Sequence, residues 1–147
     1  MASTVDTYRS ATKEHLERAQ ASFNEGSYFL AHYLSGLAVE CHLRALIRVK
    51  TPNFDSRHDL EGLAKEARFY DIVPINESAR FSAIFSTLNR RWRSNHRYFS
   101  ERQFLDYMNE IQAEYNKGGN RWKNMAQTLL NHAYAIIKQG EAKWPKN

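Results

Sequence analysis

The sequence predicts an all-α fold: one domain over residues 1–147, built as a bundle of five or six helices. Three observations predict it. Apolar residues recur every three or four positions along most of the chain, and no apolar–polar alternation runs long enough for a strand. The prolines number three, Pro52, Pro74 and Pro145, and each falls where a helical run stops. An apolar content of 42% over 147 residues supplies the side chains for one sizeable core.

Each element follows from its own residues. Ser3 with Asp6 reads as a capping box opening the first helix, because a hydroxyl there can accept from an otherwise orphaned backbone N–H. Val5, Tyr8, Thr12, Leu16, Ala19 and Phe23 share its inner face, and Gly26 in "NEGS" ends it. The second helix, "SYFLAHYLSGLAVECHLRALIRVK", is the most apolar and is expected at the centre. Its inward stripe is expected to be Leu30, Leu34, Leu37, Cys41 and Ala45. Ala31, Ser35 and Ala38 form a strip of small residues that lets a neighbouring helix come close.

"TPNFDSRH" is a loop, and Ser56 with Asp59 suggests a second capping box before Leu60, Leu63, Ala64 and Ala67. "DIVPIN" breaks the chain at Pro74. Asn76 is expected to cap a helix whose stripe is Phe81, Ile84, Phe85, Leu88 and Trp92. Ser100 and Gln103 open the next helix, with Phe104, Met108, Ile111 and Tyr115 facing in, and Gly118 and Gly119 stop it. The last runs from about Arg121 through Trp122, Met125, Leu129 and Ala133 to Gly140. Gly26, Tyr28 and Ala31 match a G-x-Y-x-x-A pattern of tetratricopeptide helix pairs. No second copy follows about 34 residues on, which leaves a helical-repeat scaffold as the weakest reading.

Several chemistries are excluded on residue types. No two of the six histidines lie within four residues of each other, and Cys41 is the single cysteine, so no zinc motif forms and no metal or cofactor is expected. No glycine-rich phosphate loop and no G-x-S-x-G elbow occurs. No apolar run reaches eighteen residues, so no membrane partner is expected, and the polar start reads as no secretory signal. A lone cysteine suits a reducing compartment, so the expected location is cytoplasmic.

The charge is informative in its distribution. The net charge is +5, and residues 78–100 hold Arg80, Arg90, Arg91, Arg93 and Arg97 with no Asp or Glu. Such a stretch raises the local potential and draws phosphates. It also suits a helix end, where cations meet the negative pole of the dipole. Both readings stay open on charge alone.

Three segments in order resemble the HEPN domain, a family of small α-helical proteins. They are "GSYFLAHYLSGLAVECHLRALI", "HDLEGLAKEA" from His58, and the arginine-rich "RRWRSNHRY". The resemblance spans roughly residues 10 to 135. Many HEPN proteins are metal-independent ribonucleases marked by an arginine and a histidine four to six residues apart. The HepT-like toxins extend this to R-x4-H-x-Y, which Arg91, His96 and Tyr98 match. Arg9 and His15 satisfy the shorter spacing too, so what favours Arg91 and His96 is their place after the fourth helix.

The resemblance implies roles. His96 would move protons, because an imidazole titrates near neutral pH. Arg91 would stabilise charge on the phosphoryl oxygens. Arg90, Arg93 and Arg97 would hold flanking RNA phosphates, Asn95 would orient the imidazole, and Tyr98 would line the site, the matching tyrosine being a nucleotidylation position in toxin relatives. A homodimer would bring two motifs to one cleft, and a small nucleotidyltransferase antitoxin would be the partner. One departure is Trp92, where nuclease members usually have Asn, Asp or His. A branch lacking the catalytic pair has an aromatic turn ending in Leu-Arg-Tyr, and "NHRYFS" resembles it through Arg97 and Tyr98. That alternative implies a non-catalytic HEPN module binding nucleotide, RNA or a protein. Glu40 is expected to pair with Arg44 one turn on rather than serve chemistry.

Overall fold

The computed structural model describes residues 3–56, 59–110 and 121–145. The fold is all-α. Among the described residues there are six α-helices and no strand. They are α1 (Thr4–Asn24), α2 (Tyr28–Lys50), α3 (Leu60–Glu66), α4 (Ser78–Arg91), α5 (Glu101–Glu110) and α6 (Arg121–Ala142). Short 3-10 turns at Phe69–Ile72, Ile75–Glu77 and Ser94–Tyr98 fill the corners.

The caps show where side-chain chemistry sets the boundaries. Ser3 Oγ accepts from the Asp6 N–H at 3.1 Å and starts α1 as expected. Asp59 alone caps α3, its carboxylate accepting from the Gly62 N–H at 2.8 Å; Ser56 lies upstream of the cap position. Asn76 does not cap α4. It lies inside the 3-10 turn that precedes the helix, and Glu77 at the boundary makes no side-chain cap. Ser100 and Gln103 do form a reciprocal box at the start of α5, with bonds of 2.8 and 3.2 Å. Ile111, Tyr115, Gly118, Gly119 and the Met108 side chain lie outside the described part of the chain.

α2 is the central helix, with α1 along one side and α6 along another. It is buried nearly all round, and its small residues Ala31, Ser35, Gly36 and Ala38 are closed off completely or almost so. The leucine stripe behaves otherwise. Leu34 and Leu37 are half-buried and Leu30 is 47% exposed, while Cys41 and Ala45, farther along the same expected stripe, are buried. Leu43, Leu63, Phe69, Phe85, Leu88, Leu129 and Ile136 fill the main core. A second, smaller cluster is aromatic. Phe104 and Met125 are buried there, with Phe29, Phe99, Tyr107 and Trp122 packed around them. No helix among the described residues is long and apolar enough to cross a membrane.

Candidate functional site

α4 carries the arginines to one end of the bundle. Arg90 and Arg91 occupy its last turn, where the dipole terminus favours cations. The chain then turns extended at Trp92 and Arg93 before the 3-10 turn. Trp92 is buried, and its indole N–H donates to the Tyr33 carbonyl at 2.9 Å. It lies directly on Gly36, where a β-carbon would come within 2.2 Å of the indole ring. Gly36 is therefore what lets the tryptophan dock against α2. The stripe expectation for Trp92 as a core residue is met, and its indole also fixes the arginine turn in place.

Three more side chains hold this turn by its backbone. His32 Nε2–H donates to the Arg91 carbonyl at 3.1 Å. His96 Nδ1 accepts from the Arg93 N–H at 3.2 Å. The Tyr107 hydroxyl donates to the Arg90 carbonyl at 2.9 Å. Because a carbonyl only accepts and a backbone N–H only donates, these bonds fix both tautomers. His32 and His96 are each neutral with the proton on Nε2. The bare Nδ1 of His32 and the Nε2–H of His96 are both buried without a partner, and the rings lie 6.3 Å apart centre to centre.

His96 is fully buried in a cage of rings: Tyr107 at 4.9 Å, Phe99 at 5.0 Å and Phe104 at 5.3 Å. Burial, helped by the positive charge of Arg93, pushes its pKa down from 6.5 to about 4. Burial pushes His32 down to about 3, against the pull of the Arg91 carbonyl and with the help of His96 and Arg91. Near neutral pH neither ring carries charge, and the lone pair of His96 is spent on the Arg93 backbone.

The other predicted residues divide. Arg90, Arg93 and Asn95 are exposed and Arg91 is half-buried. Asn95 does not orient the imidazole; that task falls to the Arg93 backbone. The Arg93 guanidinium folds back on the carbonyls of Asn89 and Trp92 and closes the end of α4. The side chains of Arg97 and Tyr98, and His58 entirely, lie outside the described part of the chain. The Glu40–Arg44 pair forms as expected, at 3.4 Å. Among the described residues no group of three or more histidine, cysteine or acidic side chains could hold a metal ion.

Two histidines that periodicity did not single out join this end of the molecule. His32 reaches the turn across 59 residues of sequence, which no local pattern announces. His132 on α6 is half-buried, and its pKa is lowered by burial and then by the charges of Arg91 and Arg80. It lines a groove of about 350 Å³ between α4 and α6, together with Arg80, Thr87 and Asn131.

No curated protein and no solved structure matches the chain. The family model described as the HEPN domain matches residues 5–144, a longer span than the three sequence segments alone suggested. A match over almost the whole chain, on an all-α fold with the arginine turn at the end of its fourth helix, means that the protein belongs to the HEPN domain family.

Proposed function

We propose that this HEPN protein binds RNA through its phosphate backbone, on the arginine face formed by the end of α4 and the turn after it. The observation that carries the reading is the division of labour in "RRWRSNHRY". Trp92 and His96 point inward and hold the turn, while Arg90 and Arg93 stay exposed and Arg91 half-exposed, with no acid between 78 and 100. A buried neutral imidazole with its lone pair bound to backbone is suited to positioning rather than proton transfer. Guanidiniums on a fixed turn are suited to phosphate oxygens. The test is binding of single-stranded RNA across a salt series. Log affinity should fall linearly with log salt, by a slope near 0.7 for each phosphate neutralised. Salt-independent binding, or none, defeats the proposal.

A second reading rests on a separate observation: Arg91, His96 and Tyr98 stand in the R-x4-H-x-Y spacing of the HepT-like toxins, after the helix where that motif belongs. On it the chain is a metal-independent endoribonuclease. His96 is released from its cage when two copies pair their motifs in one cleft, Arg91 steadies the phosphoryl charge, and a small nucleotidyltransferase antitoxin acts on Tyr98. RNA cleavage that survives EDTA and is lost in His96→Ala, in a protein that scatters light as a dimer, is the result that selects this reading.

A further inference from the structure

The groove between α4 and α6 lies outside the arginine turn, and its lining has a definite chemistry. Arg80 and Thr87 come from α4, Asn131 and His132 from α6, and the floor is Ala83, Ile84 and Ala135. On a helix, residues 80, 84, 87 and 91 fall along one side, so the cationic Arg80 and Arg91 belong to the same ridge, about 16 Å apart along the axis. Among the described residues no acid lines the groove. Arg80 does meet Glu77, at 3.3 Å, but across exposed surface, where such a pair holds weakly and yields to a better partner. Asn131 Oδ1 is taken by the Gln127 amide at 2.7 Å, which leaves the Asn131 NH₂ as a donor. The lining thus offers a guanidinium, an imidazole, a hydroxyl and an amide around a small apolar floor. At about 350 Å³ the space sits at the low end of small-molecule sites.

We propose that this groove is a phosphate-binding site, in which Arg80 and His132 grip one phosphate group from opposite walls and Thr87 and Asn131 donate to its remaining oxygens. Resting on the RNA-binding reading above, the phosphate is that of a polynucleotide strand that continues from the groove toward Arg91 and the arginine turn. A free nucleotide offers the same chemistry and is the other source to be distinguished.

The experiment compares wild-type protein with Arg80→Gln, His132→Gln and Asn131→Glu. Asn131 is exposed, so the last variant adds a repelling charge without touching the core. Arg93→Gln serves as the comparison outside the groove. Anisotropy of a labelled single-stranded RNA 12-mer gives affinity, and imidazole ¹H–¹⁵N spectra follow His132 as AMP or inorganic phosphate is added. Loss of one charge-assisted contact should weaken RNA binding about tenfold in Arg80→Gln and in His132→Gln. Asn131→Glu should weaken it further, and Arg80→Gln should flatten the salt slope by about 0.7. If all three groove variants bind RNA within twofold of wild type while Arg93→Gln binds weakly, the groove proposal is wrong and the RNA-binding reading survives. If wild type binds no RNA but AMP shifts His132 and Arg80→Gln abolishes the shift, the groove holds a free nucleotide and the RNA reading is what fails. No RNA binding together with no response of His132 to AMP or phosphate overturns both.

Discussion

Acid should unfold this protein through its histidines. His32, His42 and His96 are each at most 1% exposed, and each has at least one ring nitrogen without a partner; for His42 it is both. Burial, in each case the largest cause, lowers their pKa values from 6.5 to about 3, 4 and 4 respectively. The folded values are depressed, so the unfolded chain takes up protons that the native state refuses. The contribution of each histidine is whole above about pH 6.5 and is lost as pH falls from there toward the folded pKa. At pH 5 the loss is about 2 kcal/mol per histidine, from about 1.4 kcal/mol for each pH unit below the unfolded value. Three together remove about 6 kcal/mol, a large part of a typical domain's 5–15 kcal/mol. Urea melts at pH 7.5 and pH 5.0 measure this directly, and the midpoint should drop by about 2 M or more. His42→Leu makes the test specific. It removes an unpartnered ring between α2 and Trp144, so its midpoint should fall about one-third less between the two pH values. A midpoint drop below about 0.5 M would mean that these rings are either solvated or already charged in the native state, and the reasoning would be refuted.

Other outcomes follow from the packing around α2. Gly36→Ala should destabilise by about 1–3 kcal/mol in urea, because the new methyl meets the buried Trp92 ring and forces the arginine turn off α2. Gly140→Ala should act the same way through His42, whose ring lies where the β-carbon would stand, and thermal melts will register it despite the helix propensity gained. Leu37→Ala should cost less than the 2–5 kcal/mol of a core leucine, about 1 kcal/mol, since Leu37 is only half-buried; a larger loss would show that its exposed edge is covered in solution. On the ribonuclease reading, Arg91→Lys should lose most of the cleavage rate, because a point charge cannot replace the guanidinium fork; equal rates would remove Arg91 from the chemistry.

Much of the fold could be read from the sequence, because helix periodicity, glycine stops and Ser3 or Ser100 capping are local. What could not be read was decided between segments. Ser56 and Asp59 are both capping types, and only the path of the loop makes Asp59 the cap. Leu30, Leu34, Leu37, Cys41 and Ala45 form the obvious apolar stripe of α2, yet only Cys41 and Ala45 are buried. The leucines stay partly exposed while the small residues are closed off, Gly36 under the Trp92 ring, which is a matter of shape between segments rather than hydropathy. The arginine run and its histidine stood out by composition. That His96 turns inward, with its lone pair on the Arg93 backbone, could not be seen in the motif spacing. His32 gave no signal at all, being one histidine in a helix whose partner is a carbonyl far along the chain.

The central position of α2 also has a kinetic consequence. Its contact with α1 is between helices adjacent in the chain, joined by a short turn at Gly26, and closing it costs little loop entropy. Its contact with α6 joins segments roughly seventy residues apart, and such closures come later and more slowly. The α1–α2 hairpin should therefore assemble first, while the side of α2 meant for α6 waits uncovered until the last helix has been made. Hydrogen exchange during refolding should protect the amides of α2 before those of α6. A chain halted on the ribosome before Arg121 should hold a formed hairpin that is prone to association.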